Sequence, residues 1–129
     1  MLITAPEDVD VLVDGLLAGS AYSNVAVLYS LERTELPSGF PDHELRVGVD
    51  RDREVGVVAF MDETGNWVPD GSLEGPADIR YFLDGEPVEF PPCSEVPLVV
   101  VREALREFLT TRGNRPKSIG AWKDQYPDE

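Results

Sequence analysis

A lone histidine, a lone cysteine and a run of alternating acids are the residues of this 129-residue chain whose types and spacing invite chemistry. His43 stands between Asp42 and Glu44, after a loop rich in proline and glycine. A histidine beside a carboxylate can serve as a general base, but it needs a nucleophile to deprotonate and a partner that orients it. The sequence suggests neither, so His43 reads as an exposed loop histidine. Cys93 precedes Ser94-Glu95-Val96-Pro97, which opens a predicted helix, and a helix N-terminus can lower a thiol pKa. A nucleophilic cysteine usually works with a histidine, and only His43 exists, so Cys93 reads as an inert, partly buried thiol. Asp50, Asp52 and Glu54 open like a calcium loop. Val55 then stands where that loop needs glycine, and Met61 where it needs a bidentate glutamate, so a solvated turn is expected. No Walker or dinucleotide-binding glycine pattern is present. No catalytic residue, metal or cofactor is therefore expected.

Charge is the stronger signal. The chain carries 25 acidic residues against 11 basic ones, a formal net charge of −14. Such a surface lacks the basic footprint of a nucleic-acid binder, and anionic membranes repel it. A basic protein partner would be attracted, although acidity also serves plain solubility. From Asp62 to Glu95 there are nine acidic residues and a single basic one, Arg80, whereas six of the 11 basic residues lie from Arg102 onward. That asymmetry marks Asp62, Glu63, Asp70, Glu74, Asp84 and Glu86 as candidate partner-binding residues, because loops and hairpin tips keep carboxylates ionised and accessible. Trp67, set among these acids, is either an aromatic anchor or a cap on the core.

The elements that must position these residues follow from hydrophobic spacing. Val9, Leu12, Val13, Leu16 and Leu17 predict a helix over Pro6–Ala18. Thr4-Ala5-Pro6-Glu7 acts as its capping box and Gly19 as its end. Asn24 to Leu31 predicts a strand with Val25, Val27, Tyr29 and Leu31 on one face. Leu45, Val47 and Val49 alternate with charged residues. After a charged turn, Val55 to Met61 is apolar throughout, as in a central strand covered on both faces. Trp67 and Val68 suggest a short strand. Asp84-Gly85 is a hairpin turn joining Ile79–Leu83 to Val88 and Phe90. Leu98, Val101, Leu105, Phe108 and Leu109 predict a second amphipathic helix. Gly113 is its candidate cap, Ser118–Trp122 a last strand, and 122–129 a frayed tail.

The expected fold is a single α+β domain over 1–129: an antiparallel sheet of about five to six strands with two helices packed on one face. An N-terminus without a basic region or long apolar run predicts no signal peptide. A single cysteine excludes an internal disulfide and suggests a reducing, cytoplasmic setting.

From Gly65-Asn66-Trp67, through Tyr81, Ser94-Glu95-Val96-Pro97 and Val101-Arg102-Glu103-Ala104-Leu105-Arg106-Glu107-Phe108-Leu109, to the Thr111–Pro116 turn and Trp122, the chain resembles the Imm1 family of immunity proteins of bacterial polymorphic toxin systems. The likeness covers about residues 55 to 122, and the first fifty residues match in layout alone. The turn Thr111-Arg112-Gly113-Asn114-Arg115-Pro116 is slightly longer than the family's. The resemblance implies a small non-enzymatic α+β protein that binds and neutralises a cognate secreted toxin domain, often a nucleic-acid deaminase or nuclease with a basic cleft. It also implies structural roles for Pro97, Phe108 and Pro116. The alternative is a non-enzymatic adaptor or regulatory module that binds another basic protein.

Overall fold

The computed structural model describes every residue except Met1, Thr34, Glu35, Phe40, Ser72 and 127–129. Helix α1 spans Pro6–Ala18, as its apolar spacing predicts. Its N-cap is Ala5, which has no side-chain acceptor, so the box expected from Thr4 to Glu7 is shifted and half-formed. Asp8 reaches back to the backbone N–H groups of Thr4 and Ala5, both at 3.0 Å. Helix α2 spans Leu98–Thr110 and buries Val101, Ala104, Leu105 and Phe108. Beyond it, the N–H of Gly113 donates to the carbonyl of Phe108 at 2.9 Å, with Gly113 at a φ of 94°. Gly113 thus closes the helix as the sequence suggests.

The strands are β1 (Val25–Leu28), β2 (Glu44–Asp50), β3 (Val55–Asp62), β4 (Gly65–Pro69), β5 (Ile79–Leu83), β6 (Glu86–Phe90), β7 (Val96–Pro97) and β8 (Trp122–Asp124). Six of them form one antiparallel sheet in the order β1-β2-β3-β4-β8, with β7 paired to the start of β3. Both helices pack on one face, over Leu45, Val47, Val49, Val58 and Phe60. This is the α+β arrangement expected.

Four local expectations are corrected. First, β1 ends at Leu28, three residues early, so Tyr29 and Leu31, expected to share the face of buried Val25, lie beyond the strand and are exposed. Ala26 and Leu28 pack under the helices, while Leu31 is 82% exposed. The chain leaves the sheet because the N–H of Ser30 donates to His43 at 2.7 Å instead of to a neighbouring strand. Second, β5 and β6 do not join the main sheet. They form a two-stranded layer on the face opposite the helices, burying Ile79, Tyr81 and Phe90 against Val25, Val57, Ala59 and Val68. Gly48 makes this possible. A side chain there would begin 2.4 Å from the Tyr81 ring, so only glycine lets the hairpin lie this close.

Third, the last strand does not begin at Ser118 but at Trp122. Lys117–Ile119 is a 3-10 turn whose Lys117 and Ser118 N–H groups donate to the Glu107 carboxylate. Fourth, the tail does not fray from 122 onward. Trp122–Asp124 pair with β4, and the N–H of Gln125 donates to Asn66. The remainder, 127–129, lies outside the described residues.

Candidate functional site

His43 is 2% exposed and thus no loop-surface histidine. Its Nε2 accepts the Ser30 N–H at 2.7 Å, and its Nδ1 lies 3.0 Å from Asp42 Oδ1. A ring nitrogen that accepts a backbone N–H carries no proton, so the proton sits on Nδ1, shared with Asp42. The ring also packs against Phe108 and Tyr29, at 5.8 and 6.2 Å between centroids. The pair has the layout of an acid–base dyad, but the lone pair a base would use is already engaged by the backbone. It is a structural pin that holds the end of β1.

Burial, with the positive charge of Arg33 behind it, holds the imidazole below its ordinary pKa of 6.5 despite Asp42. The unfolded chain therefore takes up a proton near pH 6.5 that the folded chain refuses, so the unfolded state binds more protons and stability rises with pH there. The contribution of neutral His43 is full above about pH 6.5 and is lost as pH falls through the lowered folded value. Asp8 and Asp10 are held below their ordinary 3.8, Asp8 by the Thr4 and Ala5 N–H groups and Asp10 by Arg102 and Arg106, so their losses fall at more acid pH. Urea midpoints for the wild type should drop between pH 7.5 and 5.5, and those of His43→Asn should stay flat. A flat wild-type profile would mean the imidazole is not buried neutral.

Cys93 is exposed, not partly buried, and it lies five residues before the first residue of α2, outside the reach of that helix's N-terminus. Its carbonyl accepts bonds from Gly71 N at 2.8 Å and Lys123 Nζ at 3.2 Å. Among the described residues, no group of three or more His, Cys, Asp and Glu side chains converges to hold a metal ion.

The seven sequence-selected binding residues do not form one face. β3 carries Asp62 to the end of the sheet opposite the Asp50–Val55 turn, roughly 23 Å away at the usual strand rise. Glu63 lies at that far end too, in the β3–β4 turn. Asp84 sits at the other end, its carboxylate 3.5 Å from the Ser23 hydroxyl, and Glu86 follows it in the hairpin. Glu74 lies on the loop that passes the same end, where the neighbouring Gly75 abuts Glu95 and Arg53. Asp70 leaves β4 midway, 3.9 Å from Lys123. All these acids except half-buried Asp62 are exposed.

Trp67 is half-buried and packs against the helix-side core. Its Nε1 donates to Thr64 Oγ1 at 2.9 Å, and Thr64 donates in turn to Asp62. The Arg115 guanidinium lies 4.9 Å from its ring centroid and 5.8 Å from that of Trp122. Trp67 thus caps the helix-side core while keeping part of its ring at the surface.

Sequence reasoning missed two charged clusters. Glu95, 3% exposed, accepts bonds from Nη1 and Nη2 of Arg53, at 2.9 and 2.6 Å, and from the Tyr81 hydroxyl at 2.5 Å. Arg53 Nε also donates to Asp50 at 2.8 Å. On the opposite face, Arg102 bridges Asp10 and Asp14 at 2.7 Å each, and Arg106 bonds Asp10 at 2.9 Å. Asp10 and Asp14 thus tie α1 to α2. The only sequence signals were an acid beside a helix start and arginines on the polar side of α2.

Comparison with known families adds one match. The model of a family described as immunity protein Imm1 covers residues 1–123, well beyond the stretch from 55 to 122 where the motifs are legible. No curated protein matches the chain.

Proposed function

We propose that this chain, which belongs to the Imm1 family of immunity proteins, binds a cognate toxin domain with a basic surface, most plainly a nucleic-acid deaminase or nuclease, and blocks it without turning over any substrate. The family match carries the reading, and the net charge of −14 supports it. Enzymes that act on nucleic acids present basic clefts to phosphates, and an acidic protein is drawn to such a cleft faster than a neutral one. Inhibition inside the producing cell, the cytoplasmic setting expected from the sequence, requires association to outpace damage.

In this reading Asp62, Glu63, Asp70, Glu74, Asp84 and Glu86 act chiefly on encounter. Trp67 supports the β3–β4 turn from beneath. Charges at an interface rim set the association rate and its dependence on salt, while desolvated contacts set dissociation. Reversing Asp70 and Glu74 to lysine should therefore slow association and flatten its salt dependence, leaving dissociation almost unchanged. Binding kinetics at two ionic strengths with the toxin domain encoded beside this chain measure both effects. Cells expressing that toxin should survive when they also express the wild type, His43→Asn or Cys93→Ser. Death despite expression of the folded wild type would sink the immunity reading. Loss of protection with Cys93→Ser alone would bring thiol chemistry back.

A further inference from the structure

β1 is an edge strand whose only partner in the main sheet is β2. The carbonyl of Asn24 accepts the Val49 N–H, so by antiparallel alternation Ala26 and Leu28 direct their backbone groups to β2 while Val27 directs its own outward. Along this open edge runs a groove of about 750 Å³, lined by Leu2, Val27, Leu28, Tyr29, Leu31 and Phe108 among others. Leu2, Tyr29 and Leu31 are 68, 45 and 82% exposed.

Natural sheets guard their edges with charge, proline or very short strands. β8, at the other end of the strand order, is three residues long and carries Lys123 and Asp124. β1 reads Val-Ala-Val-Leu and has no such guard. An unguarded edge beside an apolar groove suits an added strand, whose main chain bonds the edge and whose alternate side chains enter the groove. A second copy of this chain is disfavoured, because each copy carries a net charge of −14. The same net charge points to a basic partner. Of the acids at this end of the sheet, Glu32 lines the groove, its exposed carboxylate 3.4 Å from exposed Arg112, and Asp62 and Glu63 stand two strands in, at the end of β3.

We propose that the β1 groove receives an extended segment of the toxin, with apolar side chains at alternate positions and basic residues beside them. The segment pairs with the Val27 backbone, fills the space between Leu2 and Leu31, and sets a cation at the exposed Glu32 carboxylate in competition with Arg112. This rests on the toxin-binding reading and names the surface that slows dissociation, as the scattered acids alone do not.

The test uses the full chain and a catalytically inactive form of the toxin domain encoded beside it. Leu31→Glu, at an exposed site outside the core, should leave the melting temperature unchanged and speed dissociation about tenfold or more, the loss expected of an anchor at the centre of an interface. The Val27 amide should exchange fast in the free chain and become protected in the complex. A tight complex with wild-type dissociation for Leu31→Glu and no protection of Val27 overturns the proposal. So does a dimer of the free chain that Leu31→Glu dissolves, since a second copy would then own the groove. If the folded wild type does not bind the toxin domain at all, the reading of function fails together with the groove.

Discussion

Phe108→Ala should lower stability by about 3 kcal/mol, the lower end of the range for emptying a phenylalanine site in a core. Phe108 is 6% exposed and sits in the helix-side cluster with Val9, Val13, Leu45, Phe60 and Leu105. Its neighbours cannot close over the gap easily. His43 is held at both ring nitrogens, and the residue's own carbonyl accepts the capping Gly113 N–H. The lower end applies because the ring also lines the β1 groove, from which water reaches part of the space. Equilibrium urea unfolding checks the value, with an unchanged slope showing that the compactness of both states is preserved. A variant within about 0.5 kcal/mol of wild type, the usual scatter for a surface change, would take Phe108 out of the core. It would also invalidate the apolar stripe from which α2 is derived.

That stripe belongs to the part of the fold that sequence reveals, because it is local. The bounds of α1 follow from Pro6, the 3-4 spacing of Val9, Leu12, Val13 and Leu16, and Gly19. The β2–β3 hairpin follows from alternation and a charged turn. The β5–β6 turn follows from Asp84-Gly85, whose φ angles of 48° and 84° suit a tight two-residue connection. Alternation tells which side of a strand is apolar but not which element covers it, so the hairpin reads like any other pair of sheet strands. Its one trace is Gly48, a glycine where the alternation of β2 would place a charged side chain, lying where the Tyr81 ring needs room.

Side-chain partners distant in sequence were out of reach. His43 shows only Asp42 and Glu44 beside it. The Ser30 N–H that occupies its free nitrogen lies 13 residues upstream, and Arg106 meets Asp10 across 96 residues. Counting acids found the asymmetry of 62–95, but it could not show that Glu95 is buried or that Asp62 and Asp84 lie at opposite ends of the sheet.

Arg53→Ala should cost about 3 kcal/mol, the low end for removing one partner from a buried ion pair. Glu95 is 3% exposed and would keep a desolvated charge with only the Tyr81 hydroxyl to answer it, whereas Arg53 has a side chain 41% exposed, so water replaces part of what it gives. The bond to Glu95 raises the Arg53 pKa, and burial followed by the Glu95 contact pushes the Tyr81 phenol well above its ordinary value, so both remain donors. Tyr81→Phe should cost less, about 1.5–3 kcal/mol, as one hydrogen bond to a charged group is lost while the ring stays over Gly48. Replacing Arg53 and Glu95 together by methionine should recover most of the Arg53→Ala loss, because the desolvated charge that makes the single change costly is gone. Double-mutant cycles in urea give the coupling. Near-zero coupling between Arg53 and Glu95 would mean that the bidentate contact does not persist in solution. A strong coupling gives the network a task besides stability. It ties the Asp50–Val55 turn and the β5–β6 hairpin to one buried carboxylate against which Gly75 of the 70–76 loop rests, and all three segments carry exposed acids that repel one another. The methionine pair should then stay folded yet associate with the toxin domain more slowly than wild type, because those acids would no longer be held in place before encounter.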